Sequence, residues 1–257
     1  MTEIPRDHPR YESLITREKI VEGVRMGFTS QHGLVAQGRG EAFDYLIGEK
    51  TIESAAVAER AAVAHILLAE RPVISVNGNT AALVPESLVA LADFTGAALE
   101  VNLFHRSDAR VHKIIELLKS HGAVKVLGGK GDKRLDLSHD RAIVDGEGIF
   151  SADVVLVPLE DGDRCQKLAE MGKTVIAIDL NPLSRTSLSA TVTIVDNVTR
   201  ALQNMIHFAK EMKLDSRQSL EEVIKAYDNS EVIADALYAI QERLKQQSEE
   251  RGVRWIW

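Results

Sequence analysis

The chemistry legible in this sequence lies in a few short stretches where apolar runs turn abruptly polar. In "VIAIDLNPLSRTS" (175–187), four apolar residues give way to Asp179, Asn181, Ser184, Arg185 and Thr186, with Pro182 in the turn. A guanidinium grips phosphate through two parallel hydrogen bonds, and the neutral side chains beside it can bond ribose or phosphate oxygens. The same residues also build Asx and Ser/Thr turns, so a plain turn with a solvated arginine stays open. "AQGRGEAFDYLIGEKT" (36–51) sets Arg39 between two glycines. Read as a tight turn, it lets backbone and ligand approach closely and offers Arg39 to an anion, or leaves it merely exposed. "VPLEDGDR" (157–164) crowds Glu160, Asp161 and Asp163. Such carboxylates need a cation, an amine or an arginine nearby. Alternatively, they complement the dipole of a following helix.

Other stretches add less. His105 and Arg106 close "VNLFHR" and can touch a substrate. "VNGNTAAL" can present backbone amides at a helix start, but it lacks the lysine of a P-loop. "LGGKGDK" (127–133) reads as a loop. His65, His112, His121 and His207 fall in helical patterns and read as structural. Cys165, the single cysteine, has no evident histidine partner and reads as a small packed residue. No G-x-S-x-G, H-E-x-x-H or C-x-x-C occurs, which argues against ordinary serine hydrolases and zinc enzymes. No dinucleotide-type glycine fingerprint follows the first strand, which counts against a dehydrogenase.

The elements that must position these groups follow from periodicity. Helices are expected over 11–26, 52–70, 85–96 and from Asp108, as N-cap, to Gly122, then over "GDRCQKLAEMGK" and from the last strand through Met212. Strands are expected at 73–76, 98–104, "VKVLGG", 152–161, "TVIAIDLN" and 191–197. "NGN" reads as a turn, and 217–250 as charged helix. Short apolar strands alternating with amphipathic helices imply an α/β fold: a doubly wound, mostly parallel, Rossmann-like sheet flanked by helices. One domain over 1–257 is expected, with an N-terminal helical segment (1–70), a core (71–212) and a C-terminal helical tail (213–257). Such sheets bind ligands beyond the carboxyl ends of their strands. Five of those ends carry polar clusters, which points to one crevice.

The 257 residues are 45% apolar and 27% charged, with a formal net charge of −7. That balance argues against a nucleic-acid surface, whose affinity rests on clustered cations. A lone cysteine fits a reducing compartment. No stretch reads as a signal peptide or a membrane span, so a cytoplasmic protein is expected. The aromatic end "VRWIW" is expected to dock, because Trp255 and Trp257 together would expose a costly apolar patch.

Seven segments together, "IPRDHPRYESLITREKIVEG", "GRGEAFDYLIGEKT", "PVISVNGNTAAL", "EVNLFHR", "ADVVLVPLEDGDR", "IDLNPLSRTS" and "TIVDNVTRA", resemble the archaeal 4-phosphopantoate–β-alanine ligases, in the family's order and over about 4–212. The resemblance implies an enzyme of coenzyme A biosynthesis. It would join 4-phosphopantoate to β-alanine using ATP, with Mg²⁺ expected alongside, and release 4'-phosphopantothenate, AMP and pyrophosphate. It implies a homodimer. It also places ATP contacts on Arg17, Arg39, Asp179, Leu180, Asn181, Arg185, Thr186, Asp196 and Asn197. Arg17, by contrast, reads from its surroundings as a solvated helix residue. Candidate substrate contacts are His105 and Arg106 for the 4-phosphate and Glu160 or Asp161 for the β-alanine ammonium. Gln37 departs from the family pattern, where His is common, as do Cys165 and Gln166, where Thr and Glu are. Two rival readings are another nucleotide enzyme, such as a kinase, and a non-catalytic dimeric module that senses a nucleotide.

Overall fold

The computed structural model describes residues 4–8 and 10–250; the "VRWIW" end, with its expected docking, lies outside them. Three helices come first: α1 (Tyr11–Met26), α2 (Gln31–Ile47) and α3 (Glu53–Leu68). Then follow β1 (Pro72–Val76), α4 (Gly78–Leu83), α5 (Pro85–Thr95), β2 (Ala98–Val101), α6 (Asp108–Ser120), β3 (Val126–Leu127), β4 (Lys133–Arg134) and β5 (Ile143–Val144). The chain continues with β6 (Val154–Pro158), α7 (Gly162–Glu170), β7 (Thr174–Ile178), α8 (Arg185–Ser189), β8 (Val192–Ile194) and α9 (Val198–Met212). It closes with α10 (Arg217–Lys225) and α11 (Asn229–Glu250).

Six strands form one parallel sheet in the order β3-β2-β1-β6-β7-β8. The chain winds outward from β1 in one direction, then returns to place β6 on β1's other side. The switch point of this doubly wound sheet therefore lies between β1 and β6, where such folds open a crevice. Both faces are covered, so the strands read as unbroken apolar runs.

Strand alternation divides the core. Ile74, Val76, Leu99, Val101, Leu156, Ile176 and Ile178 face a cluster shared with α5, α6 and α9. Val73, Val155, Val157, Val175 and Ala177 face a smaller cluster with Leu135, Val144, Ile149, Cys165 and Leu168. A third cluster joins Ile47, Ile52, Leu180, Val195 and Ala236, seating α11 beside α2 and α3.

Several local readings change. Gly38-Arg39-Gly40 is mid-helix in α2, not a tight turn. Earlier in the same helix, a side chain at Gly33 would collide with Asn79 and Thr29, so α2 seats closely against α4 there. "NGN" starts α4, capped by Asn77, whose Oδ1 accepts from Asn79 N and Thr80 N. The cap of α6 is Ser107 rather than Asp108, because the Ser107 hydroxyl accepts from Arg110 N. The 217–250 stretch is two helices, and an unforeseen antiparallel pair, β4–β5, lies between β3 and β6 in sequence.

Candidate active site

At the carboxyl edge of the sheet lies a cavity of about 650 Å³. The ends of β1, β2, β6 and β7 contribute to it, together with one face of α2. Asn77 sits at the switch point. Its Nδ2 donates to Pro158 O (2.8 Å) and Leu159 O (3.3 Å), tying the ends of β1 and β6 together. Leu159 holds φ +54°, a left-handed conformation unusual for a branched residue. That kink throws Glu160 and Asp161 into the wall. Gly162 then lets α7 and α8 start side by side; a Cβ there would lie 2.4 Å from Arg185 Cβ.

Helix α2 carries two stripes at helical spacing. His32, Gly33, Ala36, Arg39, Gly40 and Phe43 face the cavity. Leu34, Gln37, Gly38, Glu41, Ala42 and Tyr45 face a separate groove of about 400 Å³ shared with α1. Arg39 therefore reaches the cavity from α2, while Arg185 reaches it from the first turn of α8. Both are exposed, and neither has a hydrogen-bond or ion-pair partner among the described residues. The segment before α8 is tightly organised. Asp179 accepts from Asn181 N (3.0 Å) and Ser184 Oγ (2.5 Å), Ser184 caps the helix, and Thr186 Oγ1 donates to Glu160 O (2.9 Å). Burial pushes the Asp179 carboxyl above its ordinary range, an effect opposed by Ser184, Asn181 N and Arg39.

The acidic turn after β6 is compensated by arginines. Glu160 is buried between Arg141 Nη1 (3.0 Å) and Arg164, itself fully buried and donating to Ser75 Oγ. Arg141 Nε also lies 2.6 Å from Asp161 Oδ2. The approach is close but misaligned, so neither atom completes a hydrogen bond. Asp163 meets His139 Nε2 at 2.9 Å. Cys165 is buried against Thr186 O, and burial pushes its thiol up to about 12. It is a packed residue, as its surroundings suggested.

Of the residues singled out in the sequence, Arg39, His105, Glu160, Asp161, Asp179, Leu180, Asn181, Arg185 and Thr186 line this cavity. Arg17, Arg106, Asp196 and Asn197 do not. Arg17 is not simply solvated: it lies in the α1–α2 groove and bonds Glu41 through both Nε (2.8 Å) and Nη2 (2.6 Å). Arg106 Nη2 donates to Gly128 O (2.7 Å). Asp196 is buried, accepting from Thr51 Oγ1 (2.6 Å) and pairing with Arg200 (2.5 Å). Asn197 caps α9 and donates to Asp44 Oδ2 (2.9 Å). Periodicity missed Arg110 and Arg141. Arg110 donates to the carbonyls of His105 and Phe28 and braces the wall. Arg141 comes from a short helical turn within a polar stretch that carried no pattern.

The cavity walls hold four arginines (39, 110, 141, 185) and four carboxylates (160, 161, 163, 179), so its anion affinity depends on which cations are free. Among the described residues, no cluster of three His, Cys, Asp or Glu side chains could hold a metal ion.

Fold and site together define a doubly wound α/β protein with a crevice at its switch point, lined by arginines and carboxylates. The comparison with known proteins narrows this class. A family profile described as "Phosphopantothenate/pantothenate synthetase" matches residues 54–243. The chain is 65% identical over 252 residues to the 4-phosphopantoate–β-alanine ligase of Methanosarcina mazei, covering 98% of this chain and 100% of that one. It is 54% identical over 252 residues to the protein of the same name from Thermococcus kodakarensis, covering 97% of each. To that of Methanospirillum hungatei it is 54% identical over 241 residues, covering 94% and 98%. The chain belongs to the phosphopantothenate/pantothenate synthetase family.

Proposed function

We propose that this chain is an ATP-dependent ligase that joins 4-phosphopantoate to β-alanine. The products are 4'-phosphopantothenate, AMP and pyrophosphate, in coenzyme A biosynthesis. The relatives' shared name and near-complete coverage support the reaction. The observation that carries it at the site is the pair of partnerless guanidiniums, Arg39 and Arg185, on one cavity at the switch point.

A carboxylate is a poor electrophile, and adenylation supplies a leaving group. An acid oxygen attacks the α-phosphorus of ATP and expels pyrophosphate. The β-alanine nitrogen, after losing a proton, attacks the acyl carbon. The C–N bond forms, the C–O bond to AMP breaks, AMP leaves with the electron pair, and one of the two remaining amine protons passes to solvent while the other stays on the amide nitrogen. The enzyme's task is to hold the charged groups in line and to offset developing charge. Arg39 and Arg185 grip the triphosphate, with Asp179, Leu180, Asn181 and Thr186 beside it. Arg17, Asp196 and Asn197 stand in this assignment on the family pattern alone. His105, exposed and lining the cavity, would meet the 4-phosphate, whereas Arg106 would first have to release Gly128 O. Asp161 is the more accessible of the two candidate carboxylates for the ammonium, since Glu160 is buried between its arginines. Mg²⁺ would arrive on the triphosphate, and the active assembly is a homodimer.

Incubating the protein with ATP, 4-phosphopantoate and β-alanine should yield AMP and pyrophosphate in equal amounts, dependent on all three. Release of ADP would point to a kinase. Nucleotide binding without turnover would leave a sensing module and sink the ligase reading.

A further inference from the structure

The geometry points to Arg141 and Asp161 as a pair that the two substrates take apart: Arg141 receives the acid's carboxylate and Asp161 the amine's ammonium. The inference rests on the ligase reading and deepens it.

Three observations carry it. First, the pair is close but incomplete. Arg141 Nε and Asp161 Oδ2 stand 2.6 Å apart, both atoms are buried, and neither makes an aligned hydrogen bond. Buried polar groups normally find such a partner, and those that do not call for an explanation. Second, Arg141 is held rather than free to wander. Asn102 Nδ2 donates to Arg141 O (3.2 Å) and Ile143 O (3.0 Å), fixing the backbone. At the other end of the guanidinium, Nη1 bonds Glu160 at 3.0 Å. Glu160 is neutralised from behind by the fully buried Arg164, so Asp161 is the remaining counter-charge to Arg141. Third, Arg141 meets the residues that follow β6, beside the switch point. Arg39 and Arg185 reach the cavity from α2 and α8, and His105 from the end of β2.

The reaction joins a carbon that arrives as a carboxylate to a nitrogen that arrives as an ammonium. These carry the same charges as Asp161 and Arg141, in complementary positions. Exchanging one ion pair inside the protein for two ion pairs with substrate leaves no buried charge uncompensated. Because the two receptors are adjacent, the atoms to be bonded are delivered side by side. Once the acid is adenylated, the Arg141 N–H groups remain where negative charge develops on the acyl oxygen.

The test is steady-state AMP formation, with each of the three substrates varied in turn. Asp161→Asn is nearly isosteric, and Arg141→Lys keeps the charge without the planar fork, so both should fold. Asp161→Asn should raise the KM for β-alanine about 10- to 100-fold and leave those for ATP and the acid within about twofold. Arg141→Lys should raise the KM for the acid about 10-fold or more, with that for ATP unchanged. A purely structural pair would move all three constants together. The inference is overturned if Asp161→Asn leaves the β-alanine KM unchanged, or if Arg141→Lys leaves the acid KM unchanged, in a protein whose wild type makes AMP. Wild-type protein that makes no AMP would overturn the ligase reading, and this inference with it.

Discussion

What separates the arginines of this site is their company. Arg110 spends its donors on backbone carbonyls, and Arg141 faces two carboxylates. Arg39 and Arg185 stand exposed without partners. A free cation gains the full charge-assisted bond from an added anion at once, whereas a paired one gains it only by releasing a partner. Arg185→Ala should therefore raise the KM for ATP about 10- to 100-fold while leaving the melting temperature near wild type, because the side chain supports nothing in the fold. Asp161 makes a pH prediction. Burial pushes its carboxyl above the ordinary range, opposed by Arg141 and reinforced by Glu160 and Asp163. An ammonium needs the ionised form, so the β-alanine KM should climb as pH falls, beginning above the pH at which an ordinary aspartate protonates. In Asp161→Asn that climb should vanish.

Among the helices, α3 carries the least comfortable residue. Glu59 is fully buried, its Oε2 has no partner, and burial together with nearby Asp196 pushes its pKa up to about 8. The folded chain thus keeps a proton that the unfolded chain releases from its ordinary 4.5 upward. This contribution to stability is complete below the unfolded value and is lost as pH rises through the folded one. Glu59→Gln should flatten the fall in melting temperature over that window; a slope equal to wild type would refute it. Legibility divides along similar lines. The parallel strands could be read because burial on both faces leaves unbroken apolar runs. The strand-end clusters could be read because polar residues there stand out against such runs. Arg141 could not, because β4 and β5 are two residues each and the stretch around them has no period. Arg39 was found for the wrong reason: its flanking glycines suggested a turn, but α2 runs helical through both of them. Asp196 and Asn197 lie beyond β8, which closes at Ile194 rather than at 197, and their partners, Thr51, Asp44 and Arg200, are fixed by tertiary packing that no local pattern reveals.

Taken as a whole, the molecule is unevenly clad. Helices α5, α6 and α9 cover one face of the sheet, and α7 with the β4–β5 pair covers part of the other. No helix among the described residues is long and apolar enough to cross a membrane. If the assembly is a homodimer, sedimentation equilibrium should return a mass near twice the chain's 28.3 kDa; a mass of one chain would reject it. The route by which Arg141 arrives has its own consequence. It meets Asn102 after β2 and Glu160 after β6, so three stretches far apart along the chain must come together before it is seated. Contacts of that span form late, since closing long loops costs entropy before anything is gained. When denatured protein is diluted into buffer, far-ultraviolet dichroism should recover first, and turnover should return only after a measurable lag.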